Sequence, residues 1–180
     1  MSLPPVLKKA KTAAQANNHS MKPNYEESNE RRRIGVELTC NWNESTLLEL
    51  QVKATNGVFA GLARPLIAQL DLQAAARCLE GYPRNFQDCR EVTFGDSRER
   101  FAGGFISLRF SCRDAAGHCA VEVQIVSKNE TVAEPRWNRL PQSVIFVSAV
   151  DASAIADFAG QLRAMGETHS GSAWLQFGRA

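Results

Sequence analysis

Three residues with metal-binding and nucleophilic side chains lie close together in the chain: Cys112, His118 and Cys119. Cysteine thiolates and imidazole nitrogens are common zinc ligands, and a thiolate beside a histidine is the pair that activates a cysteine nucleophile. Both chemistries require the side chains to converge. The surrounding sequence alternates like a β-hairpin, however, and neighbouring side chains of a strand point to opposite faces. We therefore predict no metal site and no catalytic cysteine, but two small core residues and a histidine with a structural or surface role.

The short motifs that carry other enzymatic chemistry are missing from the sequence. It contains no GxSxG of serine hydrolases, no GxxxxGK[ST] or GxGxxG of nucleotide sites, and no HExxH of zinc peptidases. Four acidic residues of predicted loops, Asp96, Glu99, Glu130 and Glu134, lack the spacing of a carboxylate pair. We therefore predict neither catalytic residues nor a cofactor.

A tryptophan flanked by arginines is the segment richest in binding chemistry. Arg136, Trp137 and Arg139 lie between Pro135 and Pro141. Tryptophan and arginine are among the residue types most enriched at binding hot spots. The sequence therefore predicts that these three residues anchor a protein partner. The alternative is that Trp137 folds back and covers one end of a sheet.

A hairpin over residues 103–128 positions the two cysteines and a polar face. Apolar and polar residues alternate on both sides of a turn at residues 114–117, and one register satisfies both faces. The predicted cross-strand pairs are Cys112 with Cys119, Phe110 with Val121, Leu108 with Val123, Arg109 with Glu122, and Ser107 with Gln124. The polar face around Arg109, His118 and Glu122 is the alternative candidate site, for a small ligand.

The same patterns predict the remaining elements. Strands are expected at residues 34–39, 48–54, 58–69, 90–94, 144–147 and 174–177, and helices at about 71–79 and 155–165. We expect a type I′ turn at Asn56 and Gly57, an edge or bulge at Pro65, and an N-cap at Asp71. The strand at 144–147 reads as buried on both faces.

These elements predict a single α+β domain over residues 34–178. It would hold one antiparallel sheet of about seven or eight strands and two helices, in the order βββ-α-βββ-β-α-β. Residues 1–33 have few large apolar side chains, and we expect them to be a disordered tail.

Composition narrows the compartment and the class of partner. The 180 residues include five cysteines, an odd number without a CxxC motif, and no secretory signal or membrane-length apolar run. We therefore expect free thiols, a cytoplasmic location and no membrane partner. Residues 1–33 carry seven lysines and arginines against three glutamates, but only one aromatic residue, so nucleic acid is not the expected partner.

Several segments resemble a family of small uncharacterised bacterial α+β proteins. The resemblance rests on the runs ATNGVFAG (residues 54–61) and LEGYPR (residues 79–84), and on a glycine pair that leads into LRF and then GH (residues 103–118). It covers roughly residues 34–178 and supports the fold. The family has no established activity, so the resemblance implies no catalytic residues.

We interpret the chain as a non-catalytic module that binds another protein. An immunity-type inhibitor, which binds and blocks a bacterial toxin, is the finer form of this hypothesis and rests on analogy of size and architecture. The alternative is a small-ligand enzyme or sensor that uses the polar sheet face. A nucleic-acid adaptor acting through the basic tail is the third hypothesis.

Overall fold

Strands and helices follow one another in nearly the predicted order. The structure, a computed structural model, describes residues 33–96, 103–114, 116, 118–127 and 142–178. The elements of these residues are β1 (Gly35–Glu44), β2 (Leu47–Thr55), β3 (Ala60–Ala63), β4 (Leu66–Ala68), α1 (Gln69–Leu79), β5 (Cys89–Gly95), β6 (Gly104–Cys112), β7 (Cys119–Ser127), β8 (Gln142–Val150), α2 (Ala152–Thr168) and β9 (Ser172–Gln176). The α+β class is confirmed, and one additional short strand distinguishes the order from the predicted one.

The strands form two antiparallel sheets rather than one. The first sheet has the order β3-β2-β1-β9, with β4 also paired to β2, and the second has the order β5-β6-β7-β8. The prediction of a single sheet of seven or eight strands is therefore wrong. Alternation tells which face of a strand is buried but not which strands are neighbours, and large twisted sheets tend to split into two packed sheets.

Pro65 explains the additional strand. It divides the predicted third strand into β3 and β4, because proline has no N–H to donate to the ladder. The register against β2 is nevertheless continuous, with Ala63 opposite Val52 and Leu66 opposite Glu49. The carbonyl of Pro65 accepts the N–H of Leu50 at 3.0 Å, so the interruption removes a donor without displacing the chain.

The predicted N-cap at Asp71 and the predicted type I′ turn at Asn56 and Gly57 are both wrong. Helix α1 begins before Asp71, whose carboxylate instead accepts the N–H of Ala68 at 2.9 Å from within the first turn. The turn after β2 is longer than a two-residue type I′ turn, because the Asn56 side chain accepts the N–H groups of Val58 and Phe59 at 3.0 and 2.8 Å. A side chain that competes for backbone donors thus sets both local geometries.

One buried core connects both sheets and both helices. Helix α1 buries Leu72, Ala75, Ala76 and Leu79, and α2 buries Ile155, Phe158, Ala159, Leu162, Met165 and Gly166. The helices approach closely at Gly166, where a Cβ would come within 2.8 Å of the Cγ atom of Gln73. Among the described residues, no helix has the length and apolar character that a membrane span requires.

Candidate functional site

The predicted anchors lie outside the described residues. Arg136, Trp137 and Arg139 belong to residues 128–141, which join β7 to β8, and residues 1–32 of the predicted tail are likewise outside. The described part of the chain does place both ends of that connection. Ser127 and Gln142 are register partners, so the connection starts and ends at the same end of the adjacent strands β7 and β8.

The predicted hairpin register is confirmed, and two neighbouring strands extend it into a four-stranded surface. Each predicted pair of β6 and β7 is present, with Arg109 opposite Glu122 and Ser107 opposite Gln124. We define the outer face as the side chains of the second sheet that point away from the core at its centre: Glu91, Thr93, Ser107, Arg109, Glu122, Gln124, Ile145 and Val147. Six of these eight residues are exposed, all but Ser107 and Gln124.

The outer face consists of two rows that cross all four strands. One row runs from Glu91 through Arg109 and Glu122 to Val147. A parallel row places Ser107 and Gln124 between Thr93 and Ile145, as the same registers require. Each row therefore changes from polar to aliphatic as it reaches β8.

Charge on the outer face is concentrated around Arg109. The pKa of its guanidinium is raised, first by a hydrogen bond with Cys89 and then by the charges of Glu122 and Glu91. The hydroxyl of Ser107 donates to Oε1 of Glu91 at 2.6 Å and is buried below the longer side chains. The centre of this surface is thus a positive charge between two carboxylates.

The aliphatic end of the outer face is the part that the sequence did not reveal. Ile145 and Val147 are 59% and 55% exposed, while Phe146 between them is buried. The prediction that residues 144–147 are buried on both faces is therefore wrong. Every position from 144 to 147 is apolar. Without polar residues on the exposed face, the sequence does not show which side chains of the strand are buried.

His118 is separated from the other residues of the alternative site. It lies just before β7 and four positions from Glu122, which corresponds to about 13 Å along an extended strand. Its ring Nδ1 is 2.7 Å from the Asp114 carboxylate, and its side chain is 75% exposed. His118 also accounts for most of the lowering of the Asp114 pKa. This pair closes the hairpin turn and does not join Arg109 and Glu122.

The two cysteines occupy the inner face at the end of the hairpin. Cys112 and Cys119 are register partners that form no disulfide, with 4.0 Å between their Sγ atoms. Burial is the main cause that raises the pKa of Cys119 to about 11. The hydroxyl of Tyr82 lies 3.9 Å from the Cys112 sulfur. Among the described residues, no group of three or more histidine, cysteine or acidic side chains is arranged to hold a metal ion.

A second charged cluster, which no sequence pattern predicts, joins the second sheet to α1. Arg90 makes a bidentate contact with Asp88, at 3.1 and 2.7 Å, and donates to the carbonyls of Cys78 and Glu80 at 2.8 Å each. Its guanidinium also lies 5.3 Å from the centroid of the Tyr82 ring. The cluster caps the last turn of α1, so we assign it a structural role. Arginine two residues after aspartate was its only sequence signal.

Comparison with known proteins does not identify a family. No family model, no curated protein and no solved structure matches the chain. The resemblance to small bacterial proteins therefore stays a prediction, and the geometry of the outer face is the basis for a functional proposal.

Proposed function

We propose that this protein is a non-catalytic module that binds another protein through the outer face of its second sheet. The observation that carries the proposal is the exposure of Ile145 and Val147 beside the charges of Arg109 and Glu122. Protein interfaces combine an aliphatic or aromatic patch with polar and charged groups at its border. An exposed pair of β-branched side chains next to such charges fits this description.

The shape of the surface favours a macromolecular partner over a small ligand. Small-molecule sites are concave and bury most of the ligand. The outer face instead spreads its side chains across four strands, and six of its eight residues are exposed. A protein partner can cover such a surface, whereas a small molecule would contact only part of it.

The finer proposal is an inhibitor of the immunity type, which blocks a toxin by covering it. Steric inhibition requires a complementary surface and no chemistry, which agrees with an outer face built from side chains on rigid strands. Arg136, Trp137 and Arg139 remain the proposed additional anchors, in the connection that leaves the same sheet between Ser127 and Gln142.

A matched pair of alanine variants tests the proposal. The tagged protein would be used to capture its partner from the source cells, and the capture repeated with Arg109→Ala and with Lys53→Ala. Both residues are exposed basic residues of strands, but Lys53 lies on the first sheet. We expect Arg109→Ala to weaken binding to the purified partner about tenfold or more, and Lys53→Ala to leave it unchanged.

Inhibition is then measured with the purified partner. An immunity-type inhibitor should abolish the partner's toxicity or enzymatic activity at a one-to-one ratio. If both alanine variants weaken binding equally, the interface does not lie on the outer face. If the partner binds but keeps its activity, the inhibitor hypothesis is wrong, while the broader proposal of a binding module still holds.

A further inference from the structure

The two sheets have edge strands whose free backbone groups need partners or protection. In the first sheet, the side chain of Gln161 in α2 accepts the N–H of Trp174 in β9 at 2.8 Å. The opposite edge of that sheet consists of the short strands β3 and β4, which Pro65 interrupts. In the second sheet, the carbonyl of Glu91 in β5 accepts the thiol of Cys78 from α1 at 3.6 Å. At each of these three edges, a side-chain hydrogen bond or the short length of the strands therefore disfavours pairing with another chain.

The fourth edge, β8, carries none of the usual protective residues. Its nine residues, QSVIFVSAV, include no charge, no proline and no glycine. Natural edge strands are commonly protected by lysine, proline, a bulge or short length. Strand β8 has a regular register with β7 over its whole length, and so lacks a bulge as well.

The direction of the free backbone groups follows from one hydrogen bond at the end of β8. The N–H of Gly178 donates to the carbonyl of Ala149 at 2.8 Å, so Ala149 directs its backbone groups away from β7. In an antiparallel strand, alternate residues share this direction. Ser143, Ile145 and Val147 therefore present their N–H and C=O groups at the open edge, where no other described strand pairs with β8.

We propose that β8 pairs with β8 of a second copy of this chain, in an antiparallel dimer with its two-fold axis at Ile145. This register sets Ile145 opposite its own equivalent and Ser143 opposite Val147. It is the arrangement that uses all three free residues, because an axis at Val147 would require the carbonyl of Ala149, which already accepts from Gly178. Three hydrogen-bonded pairs would exchange about six backbone hydrogen bonds.

Charge and side-chain chemistry select the second copy as the occupant. Two identical strands repel when they carry charge, and β8 carries none. With the axis at Ile145, aliphatic side chains meet on the outer face, and Val144 meets Phe146 on the inner face. The pairing would join two second sheets into a continuous sheet with eight strands and bring the outer faces of both copies side by side.

A charge at the axis provides the first test. Sedimentation velocity and light scattering should show a dimer for the natural chain, and Ile145→Lys should raise its dissociation constant by roughly a hundredfold, because two lysines then face each other. The matched control is Thr93→Lys, which adds the same charge to the same face at the opposite edge strand. A natural chain that stays monomeric at all accessible concentrations, or a dimer that survives Ile145→Lys, would overturn the proposal.

Cysteine crosslinking tests the register itself. In a Cys89→Ala background, which removes the exposed thiol, Ile145→Cys should form an intermolecular disulfide rapidly with diamide, since paired residues have Cα atoms about 5.5 Å apart. Val147→Cys is the control on the same strand, because the two copies of Val147 would be about 13 Å apart. Thermal melting of each variant confirms folding. Equal crosslinking at both positions, or none at Ile145→Cys, would reject this pairing.

Discussion

Strands β5 and β8 are the two edges of one sheet, and the chain treats them differently. Strand β5 contains Arg90, which binds Asp88 and the last turn of α1, and its Glu91 carbonyl accepts the Cys78 thiol. Strand β8 is uncharged, and two of its residues, Ile145 and Val147, are exposed. Each edge strand pairs regularly with its one neighbour, so the difference between them comes from their side chains and not from their backbone pairing. The β5 edge is bound to α1, whereas no other strand of the described residues pairs with β8, the edge that we propose for association.

The strongest test of this comparison removes the guanidinium that closes β5. Arg90 and Asp88 have side chains only 11% and 14% exposed. Arg90→Ala would leave the carbonyls of Cys78 and Glu80 without this donor and the Asp88 carboxylate with only the N–H of Arg84. We expect a loss of about 3 kcal/mol in the free energy of unfolding. Chemical denaturation measures it. Arg90→Lys keeps the charge but not the bidentate contact, so its free energy of unfolding should lie between those of the natural chain and Arg90→Ala.

The pH dependence of the same variant adds a second measurement. The pKa of Asp88 is lowered in the folded protein, chiefly by its hydrogen bond with Arg90. A lowered pKa stabilises the fold above the ordinary aspartate value near 3.9, and this contribution is lost as the pH falls through the lowered value. The natural chain should therefore lose more stability than Arg90→Ala between about pH 5 and pH 2. Parallel acid-unfolding curves would show that the cluster is not the cause.

The contrast between the edges also shows what the sequence could and could not tell. The register of β6 and β7 was predictable pair by pair, because polar and apolar residues alternate on both strands. The contacts at the β5 edge were not predictable, because Arg90 donates to carbonyls at the end of α1 that lie close to it only in the folded chain. The exposure of Ile145 was not predictable either, because its neighbours in the sequence are also apolar and give no alternating pattern. The division into two sheets depends on packing between segments that are distant in the sequence, and local periodicity does not show which strands become neighbours.

A smaller effect is expected at the connection that leads into β8. If Trp137 anchors the partner, Trp137→Ala should weaken partner binding by about 2 kcal/mol, roughly thirtyfold, and leave the melting temperature nearly unchanged. If Trp137 instead covers the core, the same change should cost about 3–5 kcal/mol of stability. Calorimetry on the variant and titration with the partner separate the two. A large loss of stability would remove Trp137 from the proposed interface.

The thiols provide a milder comparison between an edge and the centre of the sheet. Cys89 on β5 is exposed, whereas burial raises the pKa of Cys119 to about 11. Thiol labelling at neutral pH should therefore modify Cys89 first and Cys119 last, and the rate at Cys119 should rise with pH up to about that value. A Cys112→Ala, Cys119→Ala double variant should fold and lose about 1–2 kcal/mol. One equivalent of bound zinc, lost in that variant, would contradict a purely structural role.

The smallest effect is expected at His118, which the alternative hypothesis treats as functional. Its contact with Asp114 is exposed to solvent and belongs to the turn between β6 and β7, away from both edges of the sheet. Exposed ion pairs contribute little, so His118→Ala should change the melting temperature by no more than about 1–2 °C and leave partner binding unaffected. The remaining charge contribution should disappear in high salt. Asp114→Ala removes the other half of the same contact, and with it the acceptor of the N–H groups of Ala116 and His118. A ligand response or turnover that both variants abolish would favour the enzyme or sensor and would contradict the proposed binding module, because no interface on the outer face depends on this turn.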